Sequence, residues 1–107
     1  MIDKLAFIFI KNRRILMALS SGKDVYYVPG GKRKTGETDQ QALRREIKEE
    51  LGVEILPKTL KYHGTFQAQA HGKPEGAIVQ MTCYTADFKG KPTPGSEIRD
   101  LAYYTHA

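Results

Sequence analysis

The chain has a single cysteine, Cys83, so it cannot form an internal disulfide. That excludes the cystine-framed mini-proteins of oxidising compartments. Cys83 lies in an apolar, strand-like run, which suits a buried, inert thiol better than a nucleophile. No apolar stretch approaches the roughly twenty residues that a spanning helix needs. The run Leu5-Ala-Phe-Ile-Phe-Ile10 is far too short, and it follows no basic region and precedes no small-residue cleavage site. There is no internal repeat, no low-complexity tract and, apart from Lys32-Arg33-Lys34, no cluster of basic side chains. These absences make a cytoplasmic protein with no membrane segment the expectation.

What is present fits one soluble domain, residues 1–107. Hydrophobic residues make up 40% and charged residues 27% of the chain, a globular composition rather than a disordered one. Seventeen basic against twelve acidic side chains give a formal net charge of +5, which suits anionic ligands such as nucleotides. Because the positive charges are dispersed, they read as general solubility rather than as a nucleic-acid footprint.

In chain order, Leu5–Ile10 reads as a strand covered on both faces. Lys11–Arg14 is a polar turn, and Ile15–Leu19 is a second strand, expected to be antiparallel to the first. Val25–Val28 reads as a short strand ended by Pro29. A helix follows, capped by Thr38 or Asp39 and closed by Gly52 as the residue after its last turn. Beyond Pro57, Leu60, Tyr62, Phe66, Ala68 and Ala70 alternate with polar residues, so one face of a long strand should meet the core. Val79, Met81 and Cys83 alternate in a further strand within 77–88. The segment 89–95, with two glycines and two prolines, reads as a loop before a last short strand near 101–104. Strands, one helix and more strands define a layered α/β or α+β domain.

The informative stretch is GGKRKTGETDQQALRREIKEELGV, Gly30 to Val53. On a helix, Glu46, Glu49 and Glu50 share one side, while Leu43, Ile47 and Leu51 form an apolar stripe at i, i+4, i+8. Carboxylates crowded in this way repel unless a cation lies among them. A hard divalent ion with oxygen ligands, shared with substrate phosphates, is the natural partner.

Gly31, Glu37, Arg45-Glu46-Ile47, Glu49-Glu50 and Gly52-Val53 stand at spacings that resemble the Nudix box, with every defining position filled. The resemblance to the Nudix hydrolases covers nearly the whole chain. It implies a mixed β-sheet sandwich flanked by helices, with the box as a loop–helix–loop. It also implies a later helix covering the sheet, for which the sequence up to Ala107 leaves no room; the expected alternatives are a truncated or naturally short chain, or a second subunit that covers the face in a homodimer. For the site it implies Mg²⁺, with Mn²⁺ as a substitute, held by Glu49, Glu50 and the Gly30 carbonyl. Glu46 would activate water or assist the metal, and Arg45 would orient it. Glu37 would bind metal or hold the loop, and Glu97 would complete the metal or base set from a distal loop, with Tyr103 six residues on.

Outside the box the candidates for substrate contact are Tyr27 for base stacking, Gln67 and Gln69 for base or sugar, and Lys32, Arg33 and His71 for phosphates. The activity implied is hydrolysis of a pyrophosphate bond in a nucleoside diphosphate linked to another group. A nucleoside triphosphate pyrophosphohydrolase of the nucleotide-sanitising kind is the first expectation. ADP-ribose, nucleotide-sugar, dinucleoside polyphosphate and capped-RNA substrates are the alternatives, as is a non-catalytic nucleotide-binding module.

Overall fold

The computed structural model describes residues 2–69 and 76–105. Two sheets face each other. The first has the order β4-β1-β7-β6, made of Gly30–Gly31, Ile2–Ile8, Ile78–Thr85 and Lys61–Gln69. The second has the order β2-β3-β9, made of Ile10–Lys11, Arg14–Ser20 and Ile98–Thr105. A small ribbon pairs β5 (Glu54–Ile55) with β8 (Phe88–Lys89). The first sheet is mixed, because β1 and β7 run parallel while the other pairs are antiparallel.

The helix α1, Asp39–Leu51, starts and stops where side-chain chemistry dictates. Thr38 is the cap: its hydroxyl accepts from the Gln41 amide while the Gln41 side chain accepts from the Thr38 amide. Gly52 ends the helix in the left-handed region, its N–H donating to the Lys48 carbonyl. The apolar stripe is buried as the spacing requires: Leu43, Ile47 and Leu51 have no exposed surface and pack against Leu5, Phe7, Leu16, Val53 and Ile55.

A second device locks the far end of α1. Helix C-termini leave carbonyls without intrahelical partners. Here the loop before β9 supplies them: Thr93, Gly95 and Ser96 donate to the carbonyls of Leu51, Glu50 and Glu49 at 2.8–2.9 Å. The approach is so close that a Cβ on Gly95 would lie 2.0 Å from the Glu49 carbonyl oxygen. Nothing in the local pattern of the 89–95 segment discloses this docking.

Several expectations are corrected. The first strand is broken at Phe9, with β1 ending at Ile8 and β2 continuing in the other sheet, so Ile10 is exposed rather than covered. Val25–Val28 is not a strand; Tyr27 makes one bridge to Ala18, and Val25 is exposed. The final strand is longer than expected, and part of the 89–95 loop is β8. Among the described residues α1 is the one α-helix, beside a short 3₁₀ turn at Pro57–Thr59, where the resemblance implies flanking helices. The largest difference is β6: it is the edge of its sheet and exposed along nearly its whole length, including Tyr62 at 61% and Phe66 at 56%. Its period-two pattern is real, but among the described residues no layer buries the apolar face. Ala70 and His71 lie outside the described residues.

Ile47 and Tyr62 therefore separate by burial. Ile47→Ala should destabilise the fold by about 2–5 kcal/mol, as for a fully buried aliphatic truncation, in urea unfolding. Tyr62→Ala should cost less than about 1 kcal/mol, as for exposed substitutions. Equal losses would contradict this division of the apolar residues.

Candidate active site

One guanidinium ties the acidic cluster together. Arg45 donates from Nε and Nη2 to the two carboxylate oxygens of Glu37, at 2.7 and 2.9 Å, a forked geometry that only arginine provides. Its Nη1 donates to Glu46 at 2.9 Å and lies 3.6 Å from Glu49, one turn further along α1. Nη2 also reaches the Lys32 carbonyl at 3.1 Å, fixing the loop that leads into the helix.

Glu37 also accepts from the Lys34 amide at 2.7 Å. The Arg45 bond first, and that amide second, hold its carboxyl at about 2, far below the usual range. Its contacts are those of a residue that pins the loop.

Glu50 has the opposite environment. Its carboxylate is partly buried beneath the Gly30-Gly31 segment and accepts the Gly30 amide at 3.0 Å. Burial, with the nearby charges of Glu46 and Glu49, pushes its carboxyl up to about 7. The Gly30 amide and Lys4 act against the rise.

The two glycines are what allow this proximity. Gly30 has φ +147°, and a Cβ there would sit 2.0 Å from the Leu5 carbonyl oxygen across the β1–β4 pair. A Cβ on Gly31 would lie 2.5 Å from the Glu46 carboxylate. Glu46 thus lies against β4 on one side and Arg45 on the other.

The donor set is made of carboxylate oxygens at the end of a sheet edge, which is hard-cation chemistry rather than zinc or copper chemistry. Among the described residues no three such side chains already converge as a closed metal cage. Glu46, Glu49 and Glu50 bring hard oxygen donors to one side of α1, and in that chemistry they fit a divalent ion.

The remaining candidates divide. Glu97 is brought near the helix end by the 93–96 docking; it is exposed, at φ +59°, and its carbonyl accepts from the Ser21 amide. Arg33 is engaged by Asp39 at 2.5 Å and by Asp3, which ties its guanidinium to the start of α1 and to β1. Asp39 also accepts from the Tyr84 hydroxyl at 2.7 Å, which raises that phenol to about 12. Lys32 contributes its carbonyl to Arg45. Gln67 donates to Gln80 at 3.2 Å on the exposed edge strand.

Tyr27 and Gln69 line a groove of about 420 Å³ between the two sheets, which opens beside Gly30, Gly31 and Glu50. Its apolar wall comes from Ile2, Val79, Met81 and Ile98, and its cations are Lys4 and Lys23. The sequence reading missed both lysines. Lys4 directly precedes the apolar run read as the first strand, so the sequence alone gave it no place in a groove. A larger groove, about 540 Å³, lies at the other end between Ile8–Ile10 and Thr85–Asp87, and contains none of the carboxylates of α1. Position beside Glu50, not size, selects the first.

A family model for the NUDIX domain matches residues 3–107. The chain belongs to the Nudix family. Over 71 residues it is 37% identical to an oxidized purine nucleoside triphosphate hydrolase of Danio rerio, a match covering 65% of this chain and 43% of that protein. The chain thus spans less than half the length of that relative. Among solved structures it is similar to the E. coli ORF135 protein, with 28% identity and a TM-score of 0.72, over 97% of this chain and 73% of that one. It is also similar to the MutT NUDIX hydrolase of Burkholderia pseudomallei, with 21% identity and a TM-score of 0.80, over 96% and 81%. The second shows the fold alone.

The state of Glu50 gives a pH signature. Its folded-state pKa, about 7, lies above the ordinary carboxylate value of 4.5, so the folded protein prefers the protonated form. The associated stability is complete below about 4.5 and is lost as pH rises through about 7. In chelator, melting temperature should fall across that window in the wild type and fall less in Glu50→Gln. A slope unchanged by the substitution would contradict the assignment.

Proposed function

We propose that the chain is a Mg²⁺-dependent nucleoside triphosphate pyrophosphohydrolase of the nucleotide-sanitising kind, with Mn²⁺ able to replace Mg²⁺. The observation that supports it best is the juxtaposition of Glu50 and the Gly30-Gly31 segment with the inter-sheet groove. A groove of about 420 Å³ is within the range of small-ligand pockets. It has an apolar wall and two lysines, which suit a base and an anionic tail. The activity of the Danio rerio relative, an oxidized purine nucleoside triphosphate hydrolase, points to purine triphosphates as substrates.

Glu49, Glu50 and the Gly30 carbonyl would hold the ion, with Glu46 beside them and Glu97 as a further carboxylate from the loop docked on α1. A divalent ion held there would supply charge neutralisation for the phosphates and would make the attacking water easier to deprotonate. Glu46 serves as general base. The water oxygen bonds to phosphorus, its proton passes to Glu46, and the bridging P–O bond breaks with its electrons on the departing phosphate. Arg45 keeps Glu46 in place, and Glu37 keeps Arg45 in place. Tyr27 and Gln69 face the nucleoside end of the substrate, and Lys32 is a phosphate contact from the loop. Arg33 and Gln67 stand less favourably, since Arg33 is held by Asp3 and Asp39 and Gln67 bonds to Gln80.

Two measurements test this reading. Pyrophosphate and nucleoside monophosphate should be released with Mg²⁺ from one or more canonical or oxidised nucleoside triphosphates, and this release should vanish in chelator. The panel should include ADP-ribose, nucleotide sugars, dinucleoside polyphosphates and capped RNA; turnover of one of these alone would move the substrate class. Tight nucleotide binding without any turnover would instead make the protein a binding module. Within an active panel, Glu46→Gln or Glu50→Gln should lower kcat at least ~100-fold. Activity within a few-fold of wild type in both would overturn the assignment.

A further inference from the structure

Lys4 occupies a position that neither the core nor the box requires. Asp3, Leu5 and Phe7 lie on the side of β1 that meets α1: Leu5 and Phe7 enter the core, and Asp3 pairs with Arg33, which holds Asp39 of the helix. By strand periodicity Ile2 and Lys4 point the other way, into the inter-sheet groove, and both line it. In register beside them on β7 stand Val79 and Met81, also in the groove wall. A lysine has replaced what the pattern would make an apolar wall residue.

That placement costs solvation, since the side chain is half-buried among Ile2, Val79 and Met81. Among the described residues no salt bridge or hydrogen bond engages its side chain. Its charge acts on Glu50, whose carboxyl it helps to hold down against burial. An ammonium offers three donors and no acceptor, and is strongly hydrated when free. A neutral base does little for such a charge in an apolar wall, whereas a phosphate oxygen satisfies both its charge and its hydrogen bonds.

We propose that Lys4 is a substrate-binding residue whose ammonium takes a phosphate oxygen inside the groove and holds the polyphosphate at the Glu50 end. This rests on the nucleotide reading above and adds a residue from outside the box to it. The nucleotide then lies along the groove in one sense: its phosphates sit between Lys4 and Glu50, and its base lies toward Tyr27 and Gln69. Lys23, exposed at the rim, adds long-range attraction but no fixed contact.

The test compares wild type, Lys4→Met and Lys4→Arg, with melting temperature as the fold control. Binding is measured calorimetrically, in Mg²⁺, for two probes: inorganic pyrophosphate and an α,β-methylene nucleoside triphosphate. Lys4→Met should weaken both about 10-fold or more, the loss of one charge-assisted contact, and Lys4→Arg should recover most of it. In turnover the methionine variant should raise KM far more than it lowers kcat. Should Lys4→Met melt early, Lys4→Gln repeats the comparison in a side chain that keeps its polarity. Unchanged pyrophosphate affinity in a folded Lys4→Met or Lys4→Gln protein would overturn the proposal, and so would a fall in kcat with no change in KM. Wild-type protein that binds pyrophosphate but no nucleotide would retire the nucleotide reading, leaving the Lys4 contact to be judged on pyrophosphate. Wild-type binding of neither probe would overturn both.

Discussion

The site depends on the fork that Arg45 makes to Glu37. Two parallel bonds fix the guanidinium plane, and the remaining donors then have set targets in Glu46 and the Lys32 carbonyl. Without a fixed cation in that position, the carboxylates of Glu37, Glu46 and Glu49 would repel one another outward into solvent. Lysine would not substitute, since a point charge does not fix a plane. The Glu37 carboxyl is depressed by its bonds to Arg45, while the Glu50 carboxyl is raised chiefly by its burial beneath Gly30, with the charges of Glu46 and Glu49 adding to the rise.

The helix delivers this cluster because it is clamped at both ends and along one side. Thr38 and Gln41 close its start, the 93–96 loop closes its end, and Leu43, Ile47 and Leu51 hold its inner face against both sheets. Each clamp serves the chemistry. The end clamp binds the carbonyls of Glu49 and Glu50 themselves, so the same hydrogen bonds that complete the helix also set where those side chains begin and where Glu97 enters. The pair of sheets supplies the other half of the site, a groove that ends at the glycines over Glu50.

Much of this was legible in the sequence because it is local. A repeat of three and four residues gives the helix its buried stripe and its acidic face, and the spacing from Gly31 to Val53 identifies the family. What was hidden is non-local. The Gly95 approach to Glu49 crosses more than forty residues of chain, and no pattern around Gly95 distinguishes a docked loop from a free one. Period two in Lys61–Gln69 reports an apolar and a polar face, but whether anything covers the apolar one depends on the rest of the fold; Tyr62 and Phe66 are exposed. Pro29 marks the end of Val25–Val28, yet pairing needed a partner strand in register, and only Tyr27 found one. Lys4 was overlooked for a related reason: a charge near the start of a strand reads as surface until the groove on that face is known.

The central claim is that the carboxylates gathered around Arg45 bind a divalent ion, and it is most directly tested with Mn²⁺ followed by electron paramagnetic resonance. Wild-type protein should deplete the free-ion signal saturably, and a Glu46→Gln, Glu49→Gln, Glu50→Gln triple variant, shown to be folded by circular dichroism, should not. Equal depletion by the two proteins would contradict the account.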